Sequence, residues 1–262
     1  MPTLDDIIKA YGAIPELSSF KRPMFVGPHP DDIEFCCGAL VSKYTRQGTP
    51  VSFLIATDGA AGTDDPELPP EKLKETRQQE SVFAAAYLGV GNVTFCELED
   101  GGDYTVTDAM KAIAPHILRY HPDILFVCDP KLRTECHPDH LKIGEAVRRL
   151  TKIVPYPVAC KRHGIDIEEI SSFPSDITLA FYASDDPNVI EAVTPEDLER
   201  KITSLSYHVS QTNDPSTGLL LTYFRLKAMK NGEKTDTGLG EDYQVIVPLC
   251  QHVYSEGIHY ND

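Results

Sequence analysis

No run of apolar residues in the 262-residue chain is long enough to cross a bilayer, so no helical membrane span is expected. Its seven cysteines contain no Cys-x-x-Cys pair, and several sit inside apolar runs. That argues against a disulfide-stapled fold and for reduced, mostly buried thiols in a cytoplasmic protein. Basic residues are in deficit, 24 against 40 acidic ones, for a net charge of -16. Such a surface repels polyanions, which makes nucleic acid and anionic membranes poor partners. The first 21 residues hold Asp5, Asp6 and Glu16 and lack the apolar core of a secretory signal. Internal repeats, low-complexity tracts, lipidation motifs and a clear domain linker are missing as well. The chain therefore reads as one domain over residues 1–262, with an N-terminal helical extension at 1–22 and a C-terminal elaboration at 151–262.

What is present is an alternation of strands and helices. Short apolar runs at Pro23–Gly27, Val51–Ala56, Val93–Cys96, Ile124–Cys128, Ile177–Tyr182 and Tyr243–Val247 predict strands. Helices are expected over Ile33–Gln47, Glu71–Leu88, Thr107–Tyr120 (with Thr107 as a cap), Pro138–Leu150, Thr194 to about Val209, and Leu219–Met229. Leu4, Ile7, Ile8 and Tyr11 share one face of a short N-terminal helix, suited to packing on the body or on a neighbouring subunit. Residues 151–176 and Asn231–Glu241 read as irregular. Strands that are continuously apolar and alternate with helices indicate an α/β fold, a Rossmann-like and mostly parallel sheet covered on both faces. In such sheets ligands bind outside the carboxyl ends of the strands. A dinucleotide is not expected there, because the first strand-to-helix turn lacks Gly-x-Gly-x-x-Gly.

That turn instead reads His29-Pro30-Asp31-Asp32. His29 and Asp32, three residues apart, can face one point, and imidazole with carboxylate suits zinc or a similar divalent ion. Asp31 between them is free to take a proton. The blander alternative is that Asp31 and Asp32 cap the following helix and His29 lies on the surface. A second motif, His137-Pro138-Asp139-His140, follows the fourth strand and also opens a helix. His140 can supply a third ligand, and three protein ligands leave a coordination position open, as catalytic zinc requires. His137 could stabilise an oxyanion or protonate a leaving group, with Asp139 orienting it. A pair of exposed helix-cap histidines is the alternative, but two such motifs at corresponding strand ends favour the metal site. Thr57-Asp58-Gly59 after the second strand is either a tight turn or a way to bring Asp58 to the site. Arg77 and Glu80 on one helix are either a solvated ion pair or a substrate contact. Cys36 and Cys37 are expected to be structural, and His208 and Gln211 to be polar contacts or surface.

The order of His29-Pro30-Asp31-Asp32-Ile33-Glu34, Thr57-Asp58-Gly59, Arg77-Gln78-Gln79-Glu80 and His137-Pro138-Asp139-His140 resembles the PIG-L/LmbE-like deacetylase family, as does the late helix Lys201 to Gln211. The resemblance covers roughly residues 23 to 247. It implies a Rossmann-like fold and zinc-dependent removal of acetyl groups from N-acetylglucosaminyl compounds, with another divalent metal such as ferrous iron as an alternative. By position, His29, Asp32 and His140 match the metal ligands and Asp31 the general base. His137 matches the residue assisting at the carbonyl oxygen, Asp139 its partner, and Arg77 an arginine on the substrate side. Two departures stand out. Ala39 follows Gly38 where many relatives carry a second glycine, and Glu135 stands where some have a tyrosine. The expected partner is a small N-acetylated sugar or glycoconjugate, with self-association left open. The competing readings are a metal-dependent hydrolase of another ester or phosphoester and a non-catalytic metal- or sugar-binding relative.

Overall fold

The computed structural model describes residues 3, 6, 12–212 and 216–252. Strands β1 (Pro23–Gly27), β2 (Ser52–Thr57), β3 (Asn92–Leu98), β4 (Ile124–Cys128), β5 (Thr178–Tyr182), β6 (Val189–Ala192) and β7 (Gly240–Ile246) form a seven-stranded sheet in the order β3-β2-β1-β4-β5-β7-β6. From β3 through β5 every pairing is parallel; β7 joins β5, and β6 joins β7, antiparallel. Every residue of β1, β2, β4 and β5 is buried, which is why these strands read as unbroken apolar runs. Phe25 of β1 pairs in register with Phe53 and Phe126 and stacks on Phe126 with ring centroids 4.2 Å apart. Truncating such a buried ring to alanine costs about 3–5 kcal/mol.

Helices α1 (Asp32–Arg46), α2 (Pro70–Leu88) and α6 (Pro195–Leu205) pack together, and α3 (Val106–Tyr120) packs on α4 (Pro138–Leu150). The sheet order reverses between β1 and β4, since β1 leads outward to β2 and β3 while β4 leads to β5. A crevice opens at such a switch point, outside the carboxyl ends of the two strands. The residues after β1 and after β4 are the two histidine motifs.

Several elements depart from expectation. Thr105, not Thr107, caps α3, in a reciprocal capping box with Asp108. Residues 151–176, expected to be irregular, contain α5 (Pro157–Arg162). The helix expected to continue to about Val209 ends at Leu205, and a short α7 (Val209–Thr212) follows the turn that carries His208. The long α8 (Thr217–Asn231) comes next. Strand β6 was not foreseen, and β7 begins at Gly240, inside the stretch expected to be a loop. Leu4, Ile7, Ile8 and Tyr11 of the expected N-terminal helix lie outside the described residues. No described helix is long and apolar enough to cross a membrane. The seven cysteines are free thiols, with Cys37, Cys128 and Cys160 buried.

Candidate functional site

Strand β1 ends at Gly27, and the turn that follows is tied to the end of β2. The Thr57 amide and hydroxyl both donate to the Pro28 carbonyl, at 3.0 and 2.8 Å. Gly59, at φ +71°, closes the Thr57-Asp58-Gly59 turn, and a Cβ there would come within 2.9 Å of Pro30. Only glycine meets both demands. The turn therefore buttresses the His29–Asp32 loop.

Asp31 and Asp32 do not act as simple helix caps. Asp31 occupies the N-cap position of α1, but its side chain makes no capping hydrogen bond. Its Oδ2 instead lies 3.2 Å from Arg77 Nη2. Asp32 Oδ2 accepts the His29 amide at 2.8 Å, and it sits 3.2 Å from His29 Nδ1 and 3.4 Å from His140 Nε2. His29, Asp32 and His140 thus present one nitrogen, one oxygen and one nitrogen within 4.8 Å of each other.

The remaining ring nitrogens are also engaged. His29 Nε2 lies 3.2 Å from both Asp139 Oδ2 and Asp100 Oδ1. His140 Nδ1 lies 2.9 Å from Glu135 Oε2. A carboxylate on the outer nitrogen holds that N–H and leaves the inner nitrogen's lone pair free, which is how metal-binding histidines are oriented. The donor set and its geometry fit a divalent metal. A second acidic cluster, His29, Asp100, His137 and Asp139, shares His29. Its Asp139 already takes two hydrogens besides that of His29. Oδ1 accepts the Tyr104 hydroxyl at 2.7 Å, and Oδ2 accepts the Gly101 amide at 2.8 Å.

The electrostatics follow from this packing. Burial alone would lower the basicity of His29, but hydrogen bonds to Asp100, Asp139 and Asp32 outweigh it and push its pKa up to about 12. Burial would raise Asp32, yet hydrogen bonds from His140 and His29 hold it far below the ordinary carboxylate range. Asp31 goes the other way. Burial, then the neighbouring charge of Asp32, push it up to about 6 against the opposing pull of Arg77, His208 and His29. Adjacent carboxylates are thereby driven apart in acidity. His137 is lowered by burial and by the charges of His29 and His140.

His137 is the N-cap of α4, its Nδ1 accepting the Asp139 amide at 3.3 Å. The cap reading of this histidine is therefore correct as far as it goes. An accepting Nδ1 puts the proton on Nε2, which remains a donor. Asp139, expected to serve His137, is 3.9 Å from His137 Nδ1 and has His29 as its nearer partner. Asp58 directs Oδ1 at the amides of Ala60 and Asp100, 3.0 and 3.1 Å, so it shapes the loop that presents Asp100. Arg77 and Glu80 are not an ion pair with each other. Arg77 is buried, donates to the Gly59 carbonyl at 2.9 Å and reaches Asp31, whereas Glu80 receives the amide and hydroxyl of Ser210. His208 is fully buried 3.3 Å from Glu34, and Gln211 donates to the Gly62 carbonyl. No cysteine enters a metal-competent group among the described residues. Over these residues lies an open cleft of about 320 Å³, lined by His29, Asp31, Arg77, Asp100, His137 and Gln211 among others.

Residues 24–151 match the model of the PIG-L family, described as GlcNAc-PI de-N-acetylase. That span is just under half of the chain, and over it the sequence is similar to the PIG-L family. The matched span runs from β1 to just past α4 and so contains both histidine motifs. A diacetylchitobiose deacetylase of Thermococcus kodakarensis is 26% identical over 89% of this chain and 86% of its own. A probable N-acetyl-α-D-glucosaminyl L-malate deacetylase of Bacillus cereus is 26% identical over 73% of this chain and 84% of its own. Among solved structures, the N,N'-diacetylchitobiose deacetylase of Pyrococcus horikoshii superposes with a TM-score of 0.85 at 25% identity, over 97% of each chain. That likeness extends through β5, β7 and β6, beyond the span of the family model.

Asp100, Tyr104 and Glu135 take part in the site without having been singled out as participants. Asp100 lies in the turn after β3 within a run of acids, Glu97, Glu99, Asp100 and Asp103, where spacing marks none of them.

Proposed function

We propose that this chain is a zinc-dependent N-deacetylase of the PIG-L type, acting on N-acetylglucosaminyl compounds and releasing acetate and an amino sugar. The observation that carries this reading is the separation of tasks around one cleft. His29, Asp32 and His140 converge as a ligand set, while Asp31 faces the cleft beside them, paired to Arg77 and held protonatable. The known relatives named above act on N-acetylated amino sugars by their names, which supports the same substrate class here.

His29 Nδ1, Asp32 Oδ2 and His140 Nε2 would hold the ion, with ferrous iron as an alternative to zinc. When bound, such an ion lowers the pKa of water toward about 7 and polarises the amide carbonyl. Asp31 accepts the proton of the attacking water as the oxygen–carbon bond forms. Arg77 keeps the Asp31 carboxylate aimed at the cleft. His137 offers its Nε2 hydrogen to the carbonyl oxygen as negative charge develops there. When the carbon–nitrogen bond breaks, the leaving amine takes a proton from Asp31 or His137. Asp100 and Asp139 hold the His29 ring, and the 320 Å³ cleft is of the size that takes a small ligand.

A phosphoester is a less suitable substrate. Among the described residues, the one arginine lining the cleft, Arg77, is already engaged by Asp31 and Gly59, and Asp31 and Asp100 line the same walls. We read the chain as one domain, because β5, β7 and β6 extend the same sheet, and as cytoplasmic, because its thiols are free. The test is acetate release from N,N'-diacetylchitobiose by metal-stripped protein with and without added zinc. Equimolar acetate and free amine, dependent on zinc, are expected. A zinc-loaded protein that releases neither from this nor from related N-acetylglucosaminyl compounds would overturn the reading.

A further inference from the structure

Glu135 stands two residues before the second histidine motif. Its carboxylate reaches both histidines of that motif at once. Oε1 accepts the backbone amide of His137 at 2.7 Å, and Oε2 lies 2.9 Å from His140 Nδ1. The first contact is local, two residues along the chain. The second crosses from the loop to the first turn of α4 and acts on a ring, not a backbone.

The segment that delivers Glu135 is itself anchored. Asp129, buried just beyond β4, donates its amide to the Tyr182 carbonyl at 3.0 Å, accepts the Lys131 amide at 2.8 Å and receives the Ser184 hydroxyl at 2.6 Å. The Leu132 amide donates to the Asp129 carbonyl at 3.3 Å, and the Glu135 amide to the Leu132 carbonyl at 3.0 Å. Two successive turns thus connect the sheet to Glu135, and the Glu135 side chain connects them to His140.

We infer that Glu135 is a positioning residue for the metal, acting through His140. By accepting the Nδ1 hydrogen it fixes the tautomer of the ring, and it points Nε2 at Asp32, 3.4 Å away, where the ligand set converges. Through the His137 amide the same carboxylate sets the start of α4, so the two histidines keep a fixed spacing. A side chain with a single oxygen at this position could not take one hydrogen on each of two oxygens, as Glu135 does. The inference rests on the proposed metal site.

The experiment is zinc affinity, measured by competition with a chromophoric chelator, for the wild type, Glu135→Ala and Glu135→Gln, alongside thermal unfolding of each metal-free protein. Loss of a carboxylate behind a ligating histidine typically weakens metal binding by about 10–100-fold. That loss is expected in Glu135→Ala, and a smaller one in Glu135→Gln, which keeps volume and one acceptor oxygen. Metal-free Glu135→Gln is expected to melt with the wild type, because a merely structural contact would lower melting and leave the affinity of the folded site unchanged. Wild-type zinc affinity in both variants would overturn the role of Glu135 alone. If Glu135→Ala fails to fold, Glu135→Gln decides: wild-type affinity overturns the role and weaker binding supports it. A wild type that binds no zinc would instead overturn the metal site.

Discussion

Asp31 and Asp32 are adjacent in the chain, yet their carboxylates serve different surroundings. Asp31 Oδ2 pairs with Arg77 at 3.2 Å, whereas Asp32 Oδ2 sits between His29 and His140 at 3.2 and 3.4 Å. The helix start that follows turns the two side chains apart. One carboxylate is pushed toward holding its proton and the other toward never holding one.

Substituting them should separate binding from turnover. Asp31→Asn is expected to retain stoichiometric zinc and to lose about 10²–10⁴ in kcat, the range for a general base. His140→Ala is expected to emerge with little zinc. Elemental analysis together with steady-state acetate release checks both. An Asp31→Asn protein with full activity would remove the base from the scheme.

Gly62 tests Arg77 without touching it. A Cβ at Gly62 would come within 2.3 Å of Arg77 Nη1, and that guanidinium is held by Gly59, Asp31 and Asp100. Gly62→Ala should therefore push Arg77 away from Asp31 and lower kcat/KM by about tenfold or more, the scale of a misplaced positioning group. Zinc content is expected to stay at the wild-type level. Unchanged kcat/KM would show that the placement of Arg77 is not needed.

In the metal-free protein, Asp31 should show its raised pKa as a pH-dependent stability. Its folded value, about 6, lies above its ordinary value of 3.8. The folded state then binds the proton more tightly, so the stabilisation is full below about 4 and is lost as pH rises through about 6. Relative to Asp31→Asn, the wild type should lose melting temperature between pH 4 and 7. A difference in melting temperature that stays constant over that window would contradict the environment described for Asp31.

Metal binding should release protons at a pH where free histidine would release almost none. With its pKa pushed up to about 12 by three carboxylates, His29 is expected to be an imidazolium in the metal-free protein at pH 8. Zinc must displace that proton, because the ligand is the neutral ring. Calorimetric titration in buffers of different ionisation enthalpy should count about one proton or more per zinc. A count near zero would contradict the carboxylate cage around His29.

The sheet and the grouping of His29, Asp32 and His140 were legible in the sequence because both are encoded locally. Fully buried parallel strands are apolar throughout, and each histidine motif occupies four consecutive residues at a strand end. Asp100 was not legible, because it is one acid among several and only the parallel pairing of β3 with β2 carries it to His29. The burial of His208 beside Glu34 depends on the turn after α6, which no local pattern announces. Strands β6 and β7 were hidden for a related reason. Val189–Ala192 is short and half exposed, and β7 opens with Gly240-Glu241-Asp242, which looks like a loop until the partners of Glu241 are seen. The Glu241 carboxylate accepts the amides of Ala39 and Leu40 at 3.3 and 2.8 Å and the Lys201 ammonium at 2.6 Å.

That last carboxylate has a consequence for synthesis. The three proposed ligands have all been translated by residue 140, but the side chain that grips the middle of α1, the helix carrying Asp32, follows about a hundred residues later. A nascent chain therefore carries all three proposed ligands well before the ribosome has delivered the piece that clamps the helix of Asp32. Ions met during that interval would encounter a looser arrangement than the finished protein offers, and C-terminal truncations before Gly240 would leave it in that state.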